Sequence, residues 1–166
     1  HIDFFSRTEN LEEKVLTQDI IYVGGGNTKS MLAVWKEWNL HNILQNAYKR
    51  GIVMSGVSAG AICWFDKGIT DSFAKELTIM KCLGIVNGIA CPHFDEEKDR
   101  EPFVIDVISR EIIESCICIE GNCALHIKND NEYISVDFGN GKKCFRVSKQ
   151  EKNCRKEFFR SLHSLR

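Results

Sequence analysis

Early in the chain the apolar positions fall in short unbroken runs closed by glycine; later they give way to alternation. Asp19-Ile20-Ile21-Tyr22-Val23 is β-rich and stops at Gly24-Gly25-Gly26-Asn27, the pattern of a buried parallel strand entering a glycine-rich turn. Asn27 or Thr28 can cap a helix over residues 30–37, where Met31, Leu32, Val34 and Trp35 follow helical spacing. A second helix over residues 40–50 carries Ile43, Leu44 and Ala47 on one side, and Gly51 ends it. Residues 52–56 read as a strand, 58–65 as a helix, 85–90 as a strand, and 102–108 as a helix with Pro102 in its first turn. Residues 116–120 and 124–127 read as strands. Residues 132–137 and 143–147 suggest a hairpin around Asn140-Gly141, and the basic tail, 152–166, reads as a terminal helix.

Strand–helix alternation followed by hairpins indicates one α/β domain with a mainly parallel sheet and an antiparallel hairpin near the C-terminus. At 166 residues the chain can bury a core as a single domain. Its net charge is −1 with acids and bases interspersed, which argues against nucleic-acid or membrane-surface partners. No apolar run is long enough to span a bilayer, so a cytoplasmic address is expected. Eight cysteines lie mostly inside apolar runs, where a reduced thiol acts as a small core residue. Cys116, Cys118, Cys123 and His126 lack the Cys-x2-Cys spacing of structural zinc, so no metal and no cofactor is expected.

The chemistry concentrates at Gly56-Val57-Ser58-Ala59-Gly60, a Gly-x-Ser-x-Gly run between a strand and a helix. Such a turn must reverse sharply, which forces the serine into a strained conformation with its hydroxyl exposed. The Ala59 N–H then points where an oxyanion would form. A nucleophilic serine needs a base. Among His1, His41, His93, His126 and His163, only His93 follows a strand end, at the sheet edge where α/β sites form. The third member should be a carboxylate that orients the imidazole. Glu120 closes an apolar strand and is the first choice, with Asp71 as rival; Asp95 is close to His93 in sequence and ranks lower. The run Glu96-Glu97-Lys98-Asp99-Arg100-Glu101 reads as solvated.

These residues resemble the peptidase E family, serine peptidase family S51. Ile21-Tyr22-Val23-Gly24-Gly25-Gly26-Asn27-Thr28 and Gly56–Ala61 look like its glycine-rich strand end and its serine turn. Thr70-Asp71-Ser72, Pro92-His93-Phe94-Asp95 and Glu120-Gly121-Asn122 resemble its later motifs, in order. The resemblance implies a three-layer α/β/α sandwich like that of class I glutamine amidotransferases. It also implies a Ser58, His93, Glu120 triad, with Asp71 as alternative or auxiliary acid, and an oxyanion hole from the Gly25 and Ala59 N–H groups. Family members include dipeptidases that cleave after an N-terminal Asp and cyanophycinases. The substrate expected is therefore a short peptide, with Asn27 and Arg100 as substrate-binding candidates and a homodimer as the assembly. Family chains carry one or two βα units before the first glycine-rich strand, whereas eighteen residues precede it here. N-terminal βα units are expected to be missing, leaving an exposed sheet edge and an uncovered apolar face.

Two other readings share the serine turn. An α/β-hydrolase esterase orders its triad serine, acid, histidine, which would call on Asp106 with His126 or His163. A non-catalytic relative would keep the fold as a binding scaffold.

Overall fold

The computed structural model describes residues 1–2, 4–74, 76–151 and 153–163. In chain order the elements are α1 (Leu11–Leu16), β1 (Ile20–Val23), α2 (Thr28–Glu37), α3 (Leu40–Lys49), β2 (Val53–Gly56), α4 (Ala59–Ile62), β3 (Phe65–Thr70) and β4 (Thr78–Lys81). They continue with β5 (Val86–Cys91), α5 (Arg100–Ser109), β6 (Ser115–Ile119), β7 (Cys123–Lys128), β8 (Glu132–Asp137), β9 (Cys144–Gln150), β10 (Asn153–Phe158) and β11 (Arg160–His163). The expected βα rhythm around β1, β2 and β5 is present. Asn27 caps α2, its Oδ1 accepting the Ser30 N–H at 2.9 Å.

The strands form a parallel pair β1-β2, a six-stranded sheet ordered β10-β9-β6-β5-β3-β4, and a three-stranded sheet β11-β8-β7. Among the described residues four pairings are parallel and four antiparallel, so the fold is mixed α/β rather than mainly parallel. Alternation along β6 divides the core. Cys116 and Cys118 point to a face packed with Val104, Val107 and Ile108 of α5 and with Phe145. Ile117 points to the other face, where Leu125, Ile127 and Tyr133 of the small sheet pack. That face is covered jointly by Ile62 of α4 and the small sheet. A third cluster joins Trp35, Leu44 and Ala47 of the first helices to Trp64.

Several local expectations change in the fold. The helix after Ser58 stops at Ile62, and the carbonyls that follow it are taken from outside: Leu83 N–H donates to Cys63 O and Ile85 N–H to Trp64 O. Residues 132–137 and 143–147 are both strands but do not pair with each other. β8 pairs with β7, and β9 with β6 and β10. The Asp137 carboxylate accepts the N–H groups of Gly139, Asn140 and Gly141 and so shapes the crossover between sheets. The tail is β10 and β11 rather than a helix, since the free edges of β9 and β8 offer it ladder partners. Lys152 and residues 164–166 of that expected helix lie outside the described residues. On the β1-β2 pair, Ile20, Tyr22 and Val53 are exposed.

Phe145 is 1% exposed and meets Phe94, the residue after His93, edge-on at 5.3 Å. Phe145→Ala should lower unfolding free energy by about 3–5 kcal/mol, read from urea melts.

Candidate active site

Ser58 sits between β2 and α4 at φ 54°, ψ −117°, a left-handed backbone that costs a non-glycine residue about 1–3 kcal/mol. Crowding explains why the turn can exist only with glycine on both sides. A Cβ on Gly56 would lie 2.3 Å from Gly60 O, and one on Gly60 would lie 2.1 Å from Val23 O. The serine turn is thus pressed against the end of β1. Gly25 lies alongside it, where an added Cβ would sit 3.4 Å from Ser58 Cβ. Ala59 opens α4, and an N–H in the first turn has no acceptor within its own helix.

β5 delivers His93, also left-handed at φ 53°. Its Nε2 is 2.9 Å from Ser58 Oγ, and its Nδ1 is 2.6 Å from Glu96 Oε2. Serine, imidazole and carboxylate therefore stand in one hydrogen-bonded line. The side chains of His93 and Glu96 are 31% and 47% exposed, so the line opens to solvent.

The carboxylate in that line is not one of those expected. Glu120 turns away, its Oε2 accepting the Lys143 N–H at 2.8 Å, and Asp71 is exposed while both His93 ring nitrogens are engaged elsewhere. Glu96 was hidden in a charged run that reads as solvated. The available signal was its i+3 spacing from His93, which one turn of chain closes: Glu96 N–H and Glu97 N–H both donate to His93 O at 3.1 Å.

Both expected substrate-binding side chains have other work. Arg100 is 4% exposed, donating to Ile69 O at 3.1 Å and to Glu97 Oε2 at 2.9 Å, so it braces β3 against α5. Asn27 uses its Oδ1 for the α2 cap and its Nδ2 to reach Ser72 O at 3.0 Å. The Ser72 hydroxyl in turn accepts the Thr28 N–H at 2.9 Å. Of the other histidines, His126 is exposed on β7, and the side chain of His163 lies outside the described residues. Asp106 pairs with Arg110 at 3.1 Å on the surface of α5.

Around the line, Asp95 ties down two neighbouring loops, β6–β7 and β8–β9. Its Oδ1 accepts the Gly121 N–H at 2.7 Å and its Oδ2 meets Lys142 Nζ. Partial burial pulls the Asp95 carboxyl upward most strongly as a single effect, but the Lys142 ammonium and the Gly121 N–H together hold it below its ordinary value. A carboxyl depressed in the folded state adds stability above its unfolded pKa of about 3.9, and that contribution is lost as pH falls through the folded value. Asp95→Asn should therefore lower the urea midpoint at pH 7 and converge on the parent chain near pH 2. Equal loss at both pH values would refute this.

The cysteines are free. Burial pushes the Cys91 thiol up to about 12 and the Cys82 thiol to about 11, so both stay protonated at neutral pH. Among the described residues no three His, Cys, Asp or Glu side chains converge as a metal cluster. None of the described helices is long and apolar enough to cross a membrane.

A mixed α/β fold with serine on a glycine-flanked strand–helix turn, facing a histidine at the next strand end, defines a class of hydrolase-like scaffold. Comparison with known proteins places the chain more narrowly. The sequence model for peptidase family S51 matches residues 3–134, and the chain belongs to that family. It is 45% identical over 152 residues to a Bacillus subtilis (strain 168) protein named uncharacterized peptidase YgaJ, a match spanning 91% of this chain. The chain spans 66% of that relative's length. A Listeria monocytogenes EGD-e protein, solved as a candidate peptidase E, shares the fold at TM-score 0.61 and 20% identity. That likeness covers 81% of this chain and 67% of the Listeria chain.

Proposed function

We propose that the chain is a serine peptidase acting on short peptides, with Ser58 as nucleophile and His93 as general base. The observation that carries this reading is the 2.9 Å approach of His93 Nε2 to the hydroxyl of a serine on a strained turn. Family membership supports it from a separate direction. Ser58 Oγ attacks the scissile carbonyl as its proton passes to Nε2. The N–H groups of Gly25 and Ala59 receive the oxyanion, and the imidazolium returns the proton to the leaving amine. Water then repeats the cycle on the acyl-enzyme.

Burial of Arg100 removes the cation on which a preference for Asp-Xaa peptides rested. The reading is therefore dipeptidase- or aminopeptidase-like hydrolysis without an assigned side chain. It involves no cofactor, nucleic acid or membrane, and it includes a cytoplasmic address and homodimeric assembly. A screen of Asp-Xaa, Xaa-Xaa and isoaspartyl peptides, scored by released amine, tests it. Hydrolysis that disappears with Ser58→Ala is expected; hydrolysis that survives the substitution rejects the mechanism. An intact chain that cleaves no peptide and takes no fluorophosphonate at Ser58 would favour the scaffold reading.

A further inference from the structure

The carboxylate on His93 is held in place by a glycine. The turn that begins at left-handed His93 swings Glu96 back beside its own histidine, with Oε2 2.6 Å from Nδ1. The rest of that side chain lies against Gly121. A Cβ built on Gly121 would sit 2.4 Å from both Cδ and Oε1 of Glu96, and 2.8 Å from its Cγ. Gly121 is also tied to the same turn, since its N–H donates to Asp95 Oδ1 at 2.7 Å. Its neighbour Glu120 faces the other way, onto the Lys143 N–H.

We infer that Glu96 is the positioning acid of the Ser58–His93 pair, and that Gly121 is the surface that keeps its carboxylate on Nδ1. The inference rests on the reading of Ser58 and His93 as nucleophile and base. A carboxylate accepting the Nδ1 proton leaves Nε2 unprotonated toward Ser58 Oγ, the tautomer a general base requires. When the serine proton arrives at Nε2, Nδ1 keeps its own proton and Glu96 stays ionised, stabilising the imidazolium. The Glu120-Gly121-Asn122 run thus serves the site through its glycine rather than its acid. Exposed i,i+3 ion pairs usually do little. This one differs because both His93 nitrogens are engaged and residue 121 has no room for a side chain.

The test uses the full chain with Glu96→Gln, Glu120→Gln, Gly121→Ala and the Glu96→Gln/Gly121→Ala pair. Two quantities are read: the rate of Ser58 adduct formation with a fluorophosphonate, and the downfield Nδ1–H proton resonance of His93. Circular dichroism checks that each variant is folded. Glu96→Gln should slow labelling by about tenfold or more and remove the resonance. Gly121→Ala should do the same with little change in melting temperature, because only the tip of a flexible side chain must move. The paired variant should label no more slowly than Glu96→Gln, since both changes break one contact. A further variant, Glu96→Ala, leaves space beside Nδ1, and added formate should restore part of its rate. Glu120→Gln keeps an acceptor for the Lys143 N–H and should label within about threefold of the parent.

Loss of rate and resonance in Glu120→Gln, with both kept in Glu96→Gln, overturns the assignment and leaves the serine peptidase reading standing. A parent rate in Gly121→Ala overturns the part given to the glycine. A parent chain that takes no label at Ser58 overturns the peptidase reading, and this inference falls with it.

Discussion

Ser58→Ala should reduce turnover by about 10⁴- to 10⁶-fold while leaving the fold intact. The substitution removes the oxygen that His93 Nε2 faces at 2.9 Å, and the histidine cannot replace it as nucleophile. The turn itself survives, because its shape is set by Gly56 and Gly60 against the end of β1. Melting temperature should stay close to that of the parent. His93→Ala should cost nearly as much, and the double variant little more, because the proposed nucleophile and base would act as a unit. Intact-mass detection of a fluorophosphonate adduct checks the assignment directly. Adduct formation in the Ser58→Ala chain would mean that another residue is the nucleophile.

Gly60→Ala carries the second large effect, this time on stability. Its new methyl would lie 2.1 Å from Val23 O and 2.7 Å from Gly24 O. Both contacts are backbone, so no rotamer change relieves them. Either α4 backs away from β1 or the strand end moves, and Val57 N–H loses its 3.1 Å bond to Val23 O. A loss of about 3–5 kcal/mol is expected from urea melts, with Ser58 labelling falling in parallel as Gly25 shifts. Gly24→Ala is the stability control, since nothing lies within 4 Å of its would-be Cβ. A Gly60→Ala chain as stable as Gly24→Ala would show that the crowding at the turn is not what shapes it. Gly121→Ala gives a useful contrast, because there the clash falls on the tip of Glu96 and the cost should appear in rate rather than stability.

How far the site could be read from sequence follows the range of the interactions. The strand, glycine turn and short helix around Ser58 are local, and residues 52–62 spell them out. His93 was recognisable because it follows an apolar strand and a proline. Glu96 was not, because an acid within a charged run looks solvated until the left-handed backbone of His93 turns it back. Arg100 misled for a related reason. Its neighbours are charged and exposed, yet the first turn of α5 directs the guanidinium inward to Ile69 O. The tail misled most, since mixed basic and apolar residues suit either a helix or an edge strand. The unpaired edges of β9 and β8 settle it.

The serine turn, the glycines that make it possible, the histidine at the strand end and the family to which the chain belongs are all legible in the residues alone. Those features rest on local sterics and on motifs whose spacing survives without knowledge of the fold. Folding fixes which carboxylate meets the histidine, which strands pair, and that the Arg100 guanidinium is turned inward to Ile69 O. Each of these depends on which chain segments are brought side by side, and backbone pairing and close packing set that across distant stretches of sequence. Ser58 was legible because its geometry is made by its immediate neighbours. The carboxylate beside His93 was not, because Gly121, 25 residues beyond Glu96, is the surface against which it rests.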